Sequence, residues 1–351
     1  MAKETILSVK DLEIEFNLRG KTLQPIRKIS LDLYKGETLA IAGESGSGKS
    51  VFTKSFIGML DSNGTIKGGE IIFEGKDLTK FKKEKEWLQI RGKKIAMVFQ
   101  DPMTSLNPLK RIGEQIREVI IEHKVVPKEQ AKQRVIQLLS EVGIPDAESR
   151  YSDFPHQFSG GMRQRVVIAI AVACQPDILI CDEPTTALDV TIQSQIIELV
   201  KKIQKELKIT VIYITHDLGV VAEVADRVAI MYAGQIVEIG TAEEVFFDPR
   251  HPYTWALLSS LPQFGEKGGE LFAIEGVPPN LFKKIVGDAF APRNRYALEV
   301  DFLAEPPYFP VSETHKAKTW LLDPRAPKIS PPDVIRRIKE RDYWQSDGGA
   351  V

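Results

Sequence analysis

Cysteine is scarce in this chain, with two thiols, Cys174 and Cys181, in 351 residues. So few exclude a disulfide framework. Both lie in apolar stretches and read as small core residues of a protein kept in a reducing compartment. Long hydrophobic runs are missing as well: no 18 consecutive residues are apolar and uncharged, and Met1-Ala2-Lys3-Glu4-Thr5 lacks the apolar segment of a secretory signal. The chain is therefore expected to stay in the cytosol and to meet a membrane only by docking on a separate spanning subunit. Net charge is close to zero, with 47 Lys+Arg against 48 Asp+Glu, which removes any global attraction to nucleic acid or anionic lipid. One local excess remains, residues 76–94, with eight Lys/Arg against three Asp/Glu. Aromatics are sparse there, so a solvated loop and helix face is preferred to a nucleic-acid patch.

What is present points to a folded α/β protein. Hydrophobic residues make up 43% and charged residues 27%, enough for one large domain and a smaller appendage. From Ile6 to about Glu37 the pattern is short and alternating, as in an antiparallel sheet. Thr38-Leu39-Ala40-Ile41-Ala42 reads as a buried strand entering a glycine-rich loop, with a helix expected over Ser50–Leu60. Residues 66–75 and 94–99 have strand character, whereas 111–142 carries helical apolar spacing and looks like an insertion. From Val166 to Gly240 helix and strand alternate: strands are expected at Ile178–Cys181, Thr210–Thr215 and Val228–Tyr232, and helices to Cys174, over Thr191–Leu207 and over Leu218–Ala225. That order implies βαβ units and a parallel sheet. Beyond about Asp248 proline clusters replace periodic runs, which places a boundary there.

Gly43-Glu44-Ser45-Gly46-Ser47-Gly48-Lys49-Ser50, followed by Val51, matches G-x-x-x-x-G-K-[ST] between a predicted strand and a predicted helix. Glycines let successive N–H groups turn inward at a helix N-terminus, a lysine neutralises phosphate charge, and a serine hydroxyl ligates Mg²⁺. The bland alternative is a glycine-rich turn that binds nothing. Ile178-Leu179-Ile180-Cys181-Asp182-Glu183 is an apolar strand ending in two carboxylates. Ligands of parallel sheets bind at that edge, so Asp182 is the expected Mg²⁺ partner and Glu183 the group that polarises an attacking water. Capping a helix is the competing role for such a pair.

Phe158-Ser159-Gly160-Gly161-Met162-Arg163-Gln164-Arg165 resembles the signature sequence of the ABC ATPase family. The resemblance implies a RecA-like P-loop NTPase core with an N-terminal antiparallel β subdomain, a helical insertion at about 101–165 and a domain spanning 1–248. It also implies two composite ATP sites, with Ser159, Gly160, Gly161 and Met162 gripping the γ-phosphate held by the opposite subunit. Other motifs follow in the family's order. Gln100 resembles the Q-loop glutamine near Mg²⁺ or the attacking water, and Ala187-Leu188-Asp189 resembles the D-loop. His216 resembles the switch histidine, and Phe16 takes the place of the adenine-stacking aromatic. A lone histidine is more often structural, and His123, His156, His251 and His315 are left in that class.

The form of Gly161-Met162-Arg163-Gln164-Arg165, with Asp248-Pro249-Arg250-His251-Pro252-Tyr253 and Gly276-Val277-Pro278-Pro279-Asn280-Leu281, resembles the D-type ATPase of oligopeptide and dipeptide permeases. Residues 249–351 then form that family's C-terminal extension. Implied partners are a second, F-type ATPase, two transmembrane permease subunits and, indirectly, an extracellular peptide-binding protein. Nucleic acid is not among them. Nickel or another small solute is the runner-up cargo, and a soluble ABC ATPase acting on nucleic acid, or a regulatory module built on the extension, ranks lower. Many relatives hold an iron–sulfur cluster on four cysteines of the extension. Here the matching positions are Asp288, Asn294, Asp301 and Thr319, which offer no thiolate. Protein purified with or without air should accordingly contain no stoichiometric iron or sulfide, and finding both would overturn the expectation.

Overall fold

A computed structural model describes residues 3–186, 188–261 and 274–339. Twelve strands occur among them: β1 (Thr5–Leu18), β2 (Lys21–Tyr34), β3 (Thr38–Ala42), β4 (Gly64–Phe73), β5 (Lys76–Asp77), β6 (Ile95–Val98), β7 (Ile178–Asp182), β8 (Thr210–Thr215), β9 (Arg227–Tyr232), β10 (Gln235–Thr241), β11 (Phe309–Pro310) and β12 (Lys316–Ala317). One sheet, β2-β1-β4-β5, is antiparallel. The other runs β11-β12-β10-β9-β3-β8-β7-β6. Its strands β9, β3, β8, β7 and β6 are parallel, and β10, β12 and β11 add antiparallel partners at one side.

The alternation of side chains along the parallel strands builds the layers. Leu179 and Cys181 of β7, with Val211 and Tyr213 of β8, face a helical layer formed by Ile112–Glu122, Ala131–Glu141, Gly160–Val172 and Val190–Leu207. Ile178 and Ile180, with Leu39 and Ile41, face the antiparallel sheet through Leu7, Ile14 and Phe73. A strand covered on both faces must be apolar throughout, which is why β3, β7 and β8 read as continuous hydrophobic runs. Burial also pushes the Cys181 thiol up to about 12, as suits an inert core cysteine.

Several elements differ from the sequence expectation. The helix after the phosphate motif spans only Lys49–Lys54, then tightens into a 3-10 turn that stops at Gly58, φ 60. Over 111–142 the helical spacing forms Ile112–Glu122 and Ala131–Glu141, with Lys124 at φ 54 and Pro127 in the connection. Strand β10 and the short strands β11 and β12 carry no predicted signal. In the basic segment, Lys80 pairs with Asp77, and Lys94 with Glu74 and Asp177.

Chain beyond residue 248 is joined to the sheet by more than covalent continuity. Lys316 and Ala317 pair with Ile239 and Glu238 of β10. The Glu238 carboxylate, fully buried, accepts the Arg250 and His251 backbone N–H groups at 2.6 and 3.0 Å and lies 2.7 Å from His315 Nε2. Phe290 packs edge-on against Tyr232, and Tyr253 lies beside both. Asp288, Asn294, Asp301 and Thr319, the four positions matched to a cysteine set by resemblance, are all buried, and each oxygen closes a local turn. Asp288 accepts from Phe290 N–H, Asn294 from Tyr296 N–H, Asp301 from Leu298 N–H and Thr319 from Leu321 N–H.

Burial, reinforced by the charge of Asp301, pushes the Asp288 carboxyl up to about 7 from its ordinary 3.8. The unfolded chain thus releases this proton at lower pH than the folded one. The stability it contributes is complete below 3.8 and is lost as pH rises through about 7. Asp288→Asn keeps the turn and removes the titration, so the variant should gain about 1–4 kcal/mol relative to wild type across that window. Denaturant unfolding at a series of pH values checks this, and a difference that stays flat in pH would clear Asp288 of the effect.

Candidate active site

Strand β3 ends at Ala42 with both faces buried, and the chain must reverse before the helix that begins at Lys49. Gly43, Gly46 and Gly48 make the reversal at φ 150, 79 and 105. Space restricts this loop as tightly as torsion does. A Cβ on Gly43 would lie 2.1 Å from the Met231 carbonyl oxygen, and one on Gly48 2.5 Å from that of Pro25. From behind, Gly234 N–H donates to Ser47 O at 2.9 Å, so the β9–β10 turn fixes the loop.

Lys49 is buried, and its ammonium donates to the Gly43 and Glu44 carbonyl oxygens at 2.7 and 3.0 Å. Burial holds its pKa below the usual value, against the opposing charges of Glu183, Asp182 and Glu44. Ser50 Oγ donates to Asp182 Oδ1 at 2.9 Å, and burial is the main cause that raises Asp182. Ser47 Oγ is buried with no protein partner among the described residues. These hard oxygen donors at a helix N-terminus, beside a lysine, fit a Mg²⁺–triphosphate.

Glu183 follows β7 in the left-handed region, φ 48, which costs about 1–3 kcal/mol for a side chain of this kind. Its amide donates to Ile214 O at 2.9 Å, so β8 holds the turn in place. The turn carries the carboxylate into a polar ring. Gln100 Nε2 donates to Glu183 Oε2 at 3.0 Å, the Thr186 hydroxyl donates to the same oxygen at 3.0 Å, and His216 Nδ1 lies 3.2 Å from Oε1. The structure thus brings Gln100, Glu183 and His216 into a cleft of about 1030 Å³ with Lys49 and Ser50, and Asp182 lies behind its lining in direct contact with Ser50. Gly43, Ser45, Gly46, Gly48 and Val51 line this cleft as well.

Other predicted residues lie elsewhere. Phe16 is not among the residues lining the cleft. It continues the inward alternation of Leu12 and Ile14, is buried, and packs so closely on Gly64 that a Cβ there would sit 2.8 Å from its ring. Leu23, its partner on β2, and Pro25 form that wall. Ser159, Gly160, Gly161, Met162 and Asp189 form a second, separate group. Ser159 caps the helix Gly160–Val172 by accepting from Met162 N–H, and Asp189 caps Val190–Leu207 through Ile192 N–H. A Cβ on Gly161 would lie 2.6 Å from Ile192, so these two helix starts are packed together. None of them lines the cleft. Ala187 lies outside the described residues.

Sequence reasoning missed Thr186, and it missed the contribution of the extension. Leu257, Asn280, Leu281 and Phe282 line the cleft opposite the loop, and Gln24 N–H donates to Leu281 O at 3.1 Å. Glu44, passed over as a variable position of the motif, is held by Tyr253 and Arg293. Tyr253, Leu257, Asn280 and Leu281 fall in the runs 248–258 and 276–281 that resemble the family's extension, a resemblance that assigned them no role.

Comparison with known proteins gives a consistent picture. Residues 26–186 match the family described as ABC transporter, and residues 237–300 match the oligopeptide/dipeptide transporter C-terminal region. The chain is 58% identical to the oligopeptide transport ATP-binding protein AmiE of Streptococcus pneumoniae, covering 97% of this chain and 96% of that protein. It is 55% identical to the dipeptide transport ATP-binding protein DppD of Lactococcus lactis, covering 99% and 100%. Among solved structures it resembles the dimeric post-hydrolysis state of the ATP-binding cassette MJ0796 bound to ADP and Pi. That match has a TM-score of 0.59 and 28% identity over 67% of this chain and 98% of that one.

Gly43→Ala tests the cradle. With the Met231 carbonyl in the way, the loop must shift, and nucleotide binding measured by calorimetry should weaken by more than about tenfold. Unchanged affinity would show that the loop geometry described here does not set binding.

Proposed function

The chain belongs to the ABC transporter family, and from that premise we propose that it is the ATP-hydrolysing subunit of an importer of oligopeptides or dipeptides, docked on the cytoplasmic face of a cell membrane. Among the described residues no helix is long and apolar enough to cross a membrane, so membrane-spanning permease subunits supply the path. The observation that carries the hydrolytic part is the Glu183 carboxylate, held by Gln100, Thr186 and His216 across from Lys49 and Ser50. Near full-length similarity to peptide-import ATPases supports the cargo.

In this reading the loop amides and Lys49 bind the β- and γ-phosphates, and Ser50, Asp182 and Gln100 hold Mg²⁺. Bound Mg²⁺ would neutralise charge on the phosphate oxygens. Lys49 leaves its carbonyl partners to do its part, which costs little because the new acceptor is charged. Glu183 orients and polarises the attacking water, and His216 contacts the γ-phosphate side of the cleft. Ser159, Gly160, Gly161, Met162 and Asp189 lie apart from their own chain's cleft, as suits a group that completes the site of a second cassette. An F-type ATPase is the proposed second cassette. Closure across two nucleotides and reopening after phosphate release then drive the permease, fed from outside by a peptide-binding protein.

Glu183→Gln should retain nucleotide binding while ATP turnover falls by about 10²–10⁴, measured as phosphate release beside calorimetric binding. Cells carrying only this variant should lose uptake of a labelled oligopeptide while the protein remains at the membrane. Undiminished hydrolysis would remove Glu183 from its role. Lost hydrolysis with intact uptake would remove the peptide cargo.

A further inference from the structure

Three carboxylates surround the buried Lys49: Asp182 and Glu183 from the sheet edge and Glu44 from the loop itself. Asp182 has Ser50 as donor, and Glu183 has Gln100, Thr186 and His216 around it. Glu44 is different, because its charge is met from outside the nucleotide-binding core. Arg293 Nη1 donates to Glu44 Oε2 at 2.6 Å and Nη2 donates to Oε1 at 3.0 Å, a two-pronged ion pair with an almost fully buried guanidinium. The Glu44 backbone N–H in turn donates to the Tyr253 hydroxyl at 2.8 Å. Both partners come from beyond residue 248.

The remaining donors of Arg293 reach residues 274–275 and Tyr232. Its Nε donates to Glu275 O at 2.9 Å, and Nη2 approaches Ile274 O at 3.4 Å, while Nη1 also meets the Tyr232 hydroxyl at 3.2 Å. Ile274 lines the cleft. One planar fork therefore joins the phosphate loop to the 274–275 segment, with all its hydrogen-bonding directions used. An incoming triphosphate brings several negative charges, and an unpaired carboxylate on the loop would oppose it at an effective dielectric well below that of water.

We propose that Arg293 is a positioning residue for nucleotide binding: by neutralising Glu44, it makes the affinity of the phosphate loop depend on the docked C-terminal extension. This rests on the assignment of the cleft to ATP. It gives the extension a task inside the motor, since any partner that pulls Arg293 from Glu44 would lower nucleotide affinity and promote release.

The test is binding of a non-hydrolysable ATP analogue with Mg²⁺ to the full chain, by calorimetry at several salt concentrations. Wild type is compared with Arg293→Gln, Glu44→Gln and the double variant. Arg293→Gln should weaken binding by about tenfold or more, and adding Glu44→Gln should recover most of that loss even though the double variant melts no higher than Arg293→Gln. Glu44→Gln alone, which keeps Arg293 and a nearly unchanged shape, should bind as tightly as wild type or tighter, and it stands as the test if Arg293→Gln does not fold. Wild-type affinity in Arg293→Gln, equal weakness in the single and double variants, or weaker binding by Glu44→Gln would each overturn the proposal. Failure of the wild-type chain to bind the analogue would instead remove the nucleotide assignment beneath it.

Discussion

Lys49 cannot remain charged out of water unless oxygen atoms face it, and the arrangement that supplies them determines much of what surrounds it. Two of its partners are loop carbonyls, those of Gly43 and Glu44, which can turn inward only because the loop passes through positive φ at Gly43, Gly46 and Gly48. Carboxylates stand further out. Putting them there requires β7 to end beside β3's successor loop, and β8 lies between β3 and β7 in the sheet, so the loop and Glu183 meet across the end of β8. The parallel order of strands is thus what lets a lysine near residue 50 and an acid near residue 180 share one cleft.

The signature and D-loop residues are held by the same kind of local geometry, away from the cleft. Ser159 and Asp189 each use a side-chain oxygen to cap their own helix, which aligns two helix N-termini at one surface. Helix N-termini carry partial positive charge, and among the described residues these two do not line the cleft that holds Lys49 and Glu183. Under the proposed function a second cassette would bring its nucleotide to these helix starts; the solved structure with ADP and Pi is described as dimeric.

How much of this could be read in advance follows from where each signal resides. The central strands were legible because burial on both faces demands unbroken apolar runs, and the phosphate loop because its torsions demand glycine. Asp182 and Glu183 could be named from the apolar strand they terminate, whereas Gln100 and His216 were named only through resemblance to the family's motifs. Strand β10 was not legible: Gln235-Ile236-Val237-Glu238 carries a buried glutamate, and a sequence pattern prices that as exposed when its true partners are the Arg250 and His251 amides and His315. Strands β11 and β12 are two residues each, too short for any period. Phe16 was placed by analogy of position, whereas its register opposite Leu23 and against Gly64 turns the ring into the core.

The composition break near residue 248 marks a change in how order is specified rather than a loss of it. Upstream, regular hydrogen-bond ladders satisfy the backbone. Downstream, between the helix Pro252–Ser259 and the short β11–β12 pair, side chains close single turns through Asp288, Asn294 and Asp301, and Thr319 does the same after β12. Prolines lower the entropy that such irregular chain must lose. Turns of that kind hold only if their side chains are fixed in place, and the fixing comes from the core: Phe290 on Tyr232, Lys316 on Ile239, Arg293 on Glu44. Contacts act in both directions. A segment that takes its shape from the nucleotide-binding core also constrains it, and the constraint falls on the loop where an unbalanced charge would be felt most.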